Sequence, residues 1–231
     1  MFSPRSRMTR RTAAHAAAAV VALAAGGVAA TATAHAATCA DVDVVVARGT
    51  FEPGTLGLIV GDPVYSAIQQ KVTNKTTSSY PVDYPANLDV YSNPNSAQKG
   101  NADLVDHVTK QAAACPNQRF ILVGYSQGAN VVDNSIGISS DGAVVGGAIV
   151  ATIPASIEPR VAAVLLFGNP IRAIGKTVTG TYASRTDDVC ANGDPVCGAG
   201  TDVSAHLSYG NDAGAAATFA ATRLSGASLI S

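Results

Sequence analysis

The five residues Gly124-Tyr125-Ser126-Gln127-Gly128 constrain this chain more than any other stretch. Directly before them stands Arg119-Phe120-Ile121-Leu122-Val123, whose apolar run predicts a buried parallel strand. Directly after them, Ala129 to Ile136 can continue as a helix. A strand, G-x-S-x-G and a helix in that order make a nucleophile elbow, a turn so sharp that side chains at the two glycine positions would clash. The strained turn lifts the serine hydroxyl above the carboxyl end of a sheet, and the following helix aims its N-terminus at it. In a chain with 22 glycines the pentapeptide alone arises often by chance, as a Gly-rich turn with an incidental serine. Its two neighbours make Ser126 a candidate nucleophile.

Residues 1–37 stand outside the expected fold. Arg5, Arg7, Arg10 and Arg11 make a basic start, an apolar stretch follows from Ala16 to Val28, and Ala34-His35-Ala36 offers an A-x-A cleavage site. The apolar stretch is too short and too rich in alanine for a membrane anchor. The expectation is a signal peptide over 1–37, one catalytic domain over 38–231, and a secreted, extracellular protein whose retention at the cell envelope stays open. The segment holds four of the 15 basic residues and none of the 16 acidic ones, so the mature part carries −5. That mild acidity argues against nucleic acid or an anionic membrane as partner. The 194 residues left of 231 suit a single domain with an adequate core, expected to be a monomer without an integral membrane span.

All four cysteines, Cys39, Cys115, Cys190 and Cys197, fall in the mature part. In an exported chain an even number implies two disulfides, with three pairings open. The closeness of Cys190 to Cys197 favours a bridge between them, which leaves Cys39 for Cys115. A zinc site is the rival reading, but no C-x-x-C is present and the spacing is irregular.

Along the chain, Val42 to Val46 reads as a first strand ending in the turn Ala47-Arg48-Gly49-Thr50. A helix is predicted after Pro63, up to Val72, and a short strand at Tyr80 to Tyr84, interrupted by proline and hence near an edge. Ala97 to Ala114 predicts a helix with Leu104, Val105 and Val108 inward. After the elbow, Val161 to Phe167 reads as a central strand, Thr186 to Val189 as a last one, and Asp212 to Leu224 as a closing helix. Alternating strands and helices, several strands wholly apolar, define an α/β fold with a mostly parallel sheet covered on both faces.

A serine hydroxyl needs a base within hydrogen-bond reach, itself oriented by a carboxylate. His15 and His35 leave with the export segment, and His107 lies before the elbow, where a surface or core role is the simpler reading. In the strand–elbow–helix architecture the chain order is serine, acid, histidine, an order that His206 alone satisfies. For the acid, Asp187, Asp188, Asp194 and Asp202 all lie between Ser126 and His206. Asp194 stands between the two half-cystines, where a small closed loop fixes a carboxylate, and Asp187 and Asp188 are the next candidates. An oxyanion needs aimed donors. The backbone N–H of Gln127 is one, and the loop Arg48-Gly49-Thr50, including the Thr50 hydroxyl, is the place for another.

With these segments in view, the chain resembles the cutinases, small secreted serine esterases. The matching stretches are Ala47-Arg48-Gly49-Thr50, Gly124-Tyr125-Ser126-Gln127-Gly128, Cys190 with Gly193-Asp194-Pro195-Val196-Cys197, and Ala205-His206-Leu207-Ser208-Tyr209, in the family's order and across nearly all of the mature part. The resemblance implies a catalytic triad of Ser126, Asp194 and His206, and an oxyanion hole from Thr50 and Gln127. It implies a small α/β-hydrolase with about five parallel strands, two disulfides, no large lid, and no metal or organic cofactor. The expected substrates are small-molecule or lipid and polyester esters.

The segment Gly198 to Ala205, often strongly apolar in the family, has Val203 as its one bulky apolar residue, and the opposite rim Leu88-Asp89-Val90-Tyr91 is half polar. So lean a rim predicts a preference for short to medium acyl esters in solution over insoluble polyester. Lipase, phospholipase and acetylxylan esterase activities use the same triad and stay open, as does a serine peptidase. The rival outside enzymes is an idle envelope-associated binding protein on this scaffold, against which every triad and oxyanion position is filled.

Overall fold

The computed structural model describes residues 39–226, so the export segment expected at 1–37 lies outside the described residues. Apolar runs become strands wherever both faces can be covered. Strand β1 (Val42–Ala47) is buried along its whole length, as is β4 (Val161–Phe167), and β3 (Arg119–Tyr125) is buried after its first residue. With β2 (Thr77–Pro81) and β5 (Thr186–Val189) they form one sheet in the order β2-β1-β3-β4-β5, every neighbouring pair parallel.

Alternation along the strands sorts the core into two layers. Val45, Phe120, Leu122, Val164 and Leu166 pack with helices α2 (Ser96–Ala114) and α3 (Gln127–Ser135) on one face. Val44, Val46, Ile121, Val123, Leu165 and Phe167 pack with α1 (Gly61–Lys71) and α5 (Ala213–Gly226) on the other. Leu104, Val105 and Val108 of α2 are buried, as their spacing predicts, and Asn95 and Gln98 close its start in a capping box. Both disulfides pair as the spacing favours, Cys39 with Cys115 and Cys190 with Cys197.

Two boundaries differ from the sequence reading. The edge strand runs over Thr77–Pro81 instead of Tyr80 to Tyr84, because a half-exposed edge tolerates Thr77, Ser78 and Ser79, and Pro81 ends it. Helix α1 starts at Gly61, with Pro63 inside the first turn, where a missing N–H costs nothing. Residues 137–157 form neither helix nor strand. They are held by buried amides: Asn101 Oδ1 accepts the N–H groups of Val150 and Ala151, and Asn134 Nδ2 donates to the Gly147 carbonyl.

The winding of the sheet positions the site. The chain goes outward from β1 to the edge strand β2, returns across β1 to β3, and then proceeds to β4 and β5. Its direction reverses between β1 and β3, so the loops leaving their carboxyl ends diverge and open a crevice. Thr50 follows β1, and Ser126 follows β3.

Candidate active site

Ser126 occupies the turn between β3 and α3 with φ 54° and ψ −117°, a backbone state that costs about 1–3 kcal/mol for a non-glycine residue. Its N–H donates to the Phe167 carbonyl at 2.9 Å, which ties the turn to the end of β4. The flanking glycines are there for space: a Cβ at Gly128 would come within 1.9 Å of the Ala47 carbonyl oxygen, and one at Gly124 within 2.6 Å of the Gly128 carbonyl oxygen. Backbone, not a flexible side chain, fills both places, so no other residue fits without moving β1 or α3.

His206 closes the one-turn helix α4 (Val203–His206), whose start is capped by Asp202 accepting from the Ser204 N–H. Its Nε2 lies 3.0 Å from Ser126 Oγ, and its Nδ1 lies 2.8 Å from Asp194 Oδ2. An ionised carboxylate only accepts, so Nδ1 carries the proton and Nε2 is free to accept from the serine. Gly168 at the end of β4 has φ 57°, and a Cβ there would sit 2.8 Å from the His206 ring. The Tyr125 hydroxyl, from within the elbow motif, donates to the His206 carbonyl at 2.8 Å.

Asp194 is buried in the loop closed by Cys190–Cys197, a bridge that stabilises by about 2–3 kcal/mol on the chain-entropy model. Its Oδ1 accepts the N–H groups of Val196 at 2.6 Å and Cys197 at 3.3 Å. Its Oδ2 accepts from the Tyr209 hydroxyl as well as from His206. Burial alone would raise this carboxyl, but the hydrogen bonds from Tyr209, His206 and Val196 outweigh it and hold the group below its ordinary value. The other acids are engaged elsewhere. Asp188 accepts from Asn169 and faces Arg172, Asp202 caps α4, and Asp187 is pushed up by burial and by Asp212.

On the oxyanion side, Gln127 opens α3, so its N–H has no intrahelical acceptor. Its side chain is a structural tie, donating to the Asn87 carbonyl and accepting from Ser96 Oγ. The Thr50 hydroxyl is buried and has no hydrogen-bond partner among the described residues. An unspent buried donor costs free energy, which sets this hydroxyl apart from the side chains already engaged. Sequence reasoning missed Tyr209, Tyr125 and Glu52, whose carboxylate braces the Thr50 loop. It also missed two apolar side chains next to the site, Phe51 at 68% exposure and Leu207 at 53%. Among the described residues no group of three or more His, Cys, Asp or Glu is placed to hold a metal ion.

A parallel sheet with a strained serine between strand and helix, hydrogen-bonded to a histidine that a buried aspartate orients, defines an α/β-hydrolase of the serine-nucleophile type. The family model for cutinase matches residues 38–224. A cutinase from Kineococcus radiotolerans is 42% identical over 182 residues, 77% of this chain and 58% of that protein's length. The carboxylesterase Culp1 of Mycobacterium tuberculosis is 36% identical over 202 residues, 83% of this chain and 85% of that one. Among solved structures, Trichoderma reesei cutinase in complex with a C11Y4 phosphonate inhibitor is similar, with a TM-score of 0.65 and 32% identity over 80% of this chain and 77% of that one. The chain belongs to the cutinase family and carries its serine ester hydrolase domain.

Proposed function

We propose that the chain is an exported, monomeric serine carboxylic-ester hydrolase with a signal peptide over 1–37 and its catalytic domain over 38–231. It cleaves short to medium acyl esters through Ser126, Asp194 and His206, with Thr50 and Gln127 as the oxyanion hole. The observation that carries this reading is the single imidazole that lies within hydrogen-bond reach of both Ser126 Oγ and Asp194 Oδ2. Two disulfides, stable in an oxidising compartment, support export, and among the described residues no helix is long and apolar enough to cross a membrane.

In this mechanism His206 Nε2 takes the Ser126 proton as Oγ attacks the ester carbonyl carbon. The oxyanion that forms accepts from the Gln127 N–H and from Thr50. Asp194 stabilises the imidazolium, which returns the proton to the leaving alcohol. A water molecule then repeats the sequence on the acyl-enzyme and frees the acid. Losing one oxyanion donor costs about 10²–10³ in kcat.

A second reading, action on emulsified lipid esters, has its own support. Phe51 and Leu207, adjacent to Thr50 and His206, add apolar surface to Leu88, Tyr91 and Val203, all of them exposed. A chain-length series of p-nitrophenyl esters, set beside an emulsified long-chain triglyceride and a phospholipid, separates the two. The proposal expects kcat/KM to peak at short to medium chains and to vanish in Ser126→Ala. Equal turnover on the emulsion moves the assignment to a lipase, and no turnover on any ester by the folded protein overturns the enzyme reading.

A further inference from the structure

Glu52 stands two residues after Thr50 with only 5% of its surface exposed, and the mechanism above does not use it. Its Oε2 accepts the N–H of Gly49 at 2.7 Å, while its Oε1 accepts those of Ile59 at 2.8 Å and Val60 at 3.2 Å. Its own N–H donates back to the Gly49 carbonyl at 3.1 Å. One residue therefore engages both polar backbone atoms of Gly49, the residue immediately before Thr50. A Cβ at Gly49 would meet the Tyr125 ring at 2.7 Å and Glu52 Oε2 at 3.6 Å, so the ring and the carboxylate together leave room for glycine.

The far end of this brace is the start of α1. Val60 is the N-cap of that helix and its side chain supplies no cap, so the Glu52 carboxylate meets the unspent N–H groups and the positive end of the helix dipole. Space for the carboxylate is reserved by Gly57, at φ 106°, where a Cβ would fall 2.5 Å from Oε2. Around it, Arg48 donates to the carbonyls of Tyr84 and Pro85, and the Tyr84 hydroxyl donates to the Arg48 carbonyl. Phe51, between Thr50 and Glu52, takes φ 53° and donates its N–H to Ala86 at 2.7 Å. Every neighbour of Thr50 is thus fixed, and its hydroxyl is left unspent.

A carboxylate is a costly way to hold a loop. Burial pushes the Glu52 carboxyl up, against the three N–H groups and Arg48, which lower it. An apolar residue of like volume would avoid that burial cost but would leave the N–H groups of Gly49, Ile59 and Val60 without their acceptor. What an apolar residue cannot do is accept from Gly49 and from α1 at once.

We propose that Glu52 is a positioning residue for ester cleavage: it locks Gly49 to the start of α1 and so holds Thr50 facing Ser126. This rests on the assignment of Thr50 to the oxyanion hole. A double-variant cycle on p-nitrophenyl butyrate tests it, with Thr50→Ala, Glu52→Gln and the pair, each shown to be folded by circular dichroism and thermal melting. Gln keeps the volume but turns an amide NH₂ toward a backbone N–H. Expected are a fall in kcat of about a hundredfold for Thr50→Ala and at least about tenfold for Glu52→Gln with KM nearly unchanged. The pair should lose less than the product of the two. A folded Glu52→Gln with wild-type kcat, or losses that multiply in the pair, overturns the proposal while leaving Thr50 in place. An unchanged kcat in Thr50→Ala overturns the underlying assignment instead. If Glu52→Gln does not fold, Glu52→Asp, too short to bridge Gly49 and Ile59, takes its place in the same cycle with the same criteria.

Discussion

The hydroxyl of Tyr209 donates to Asp194 Oδ2, the same oxygen that faces Nδ1 of His206. Tyr209 is fully buried, and its oxygen also accepts the N–H of Ala191 at 3.0 Å, so the phenol cannot turn away. The aspartate thereby receives donors on both oxygens before the histidine is counted. A carboxylate so held stays ionised and fixed in direction, as orienting an imidazole requires.

Tyr209→Phe removes that donor and leaves the ring packing against Phe167 intact. Stability at neutral pH should fall by about 1.5–3 kcal/mol, the worth of a hydrogen bond to a charged group, and kcat by up to about tenfold as the carboxylate that orients His206 loosens. Asp194 lies below its ordinary value when folded, so its contribution is present above the unfolded carboxylate pKa and is lost as pH falls through the folded one. The gap between variant and wild type in urea denaturation should therefore be full at neutral pH and narrow on acidification below the carboxylate range. A gap that widens on acidification contradicts the assignment.

His107 makes a second histidine–aspartate pair, with Nε2 2.7 Å from Asp43 Oδ2 and its ring stacked on Tyr80 at 3.5 Å between centroids. Asp43 is near the start of β1, at the opposite end of the sheet from Ser126, and its other oxygen accepts from Ser78 Oγ. The pair clamps α2 to the sheet and reaches no substrate. His107→Ala should cost about 1–2 kcal/mol of stability and leave kcat/KM within about twofold, whereas His206→Ala should lower kcat by about 10³ or more. Denaturant melts and ester kinetics on the two variants decide it.

Asp133 of α3 is fully buried, and neither carboxyl oxygen has a hydrogen-bond partner among the described residues. Burial, then the nearby Asp188, push it well above the ordinary carboxylate value. A group raised in the folded state contributes stability in full below its unfolded pKa and loses it as pH rises through the folded one. Relative to Asp133→Asn, the wild type should thus be most stable in acid and lose stability toward neutral pH. Urea denaturation of both at pH 4.5 and pH 8 checks the sign, and a wild type that gains with rising pH contradicts it.

What the sequence made legible was whatever depends on order and period. The runs Phe120–Val123 and Val161–Phe167 are apolar without a break, so their strands could be read directly. His206 follows from chain order, while Asp194 was favoured by its place between half-cystines and selected over Asp187 and Asp188 by the family resemblance. His206 lies against Ser126 and Asp194 against His206. Glu52, Tyr209 and Tyr125 were not legible, because their roles rest on hydrogen bonds whose partners are set by tertiary folding. Glu52 reads as one acid in a loop until α1 is folded against it. Strand β2 is too polar to announce itself, and residues 137–157 are ordered by buried asparagines that carry no periodic signal. The rim reading left out Phe51 and Leu207, whose exposure is set by how the loops fold and not by their place in a pattern.

The central claim is that Ser126 is activated by His206 and Asp194. Its most direct measurement is covalent labelling of the folded protein with an alkyl phosphonate ester, followed by mass spectrometry of the peptide containing residues 119–136. The account predicts one adduct per chain on Ser126, none in Ser126→Ala, and labelling slowed by orders of magnitude in His206→Ala. An unlabelled wild type, or an adduct on another residue that survives Ser126→Ala, contradicts it.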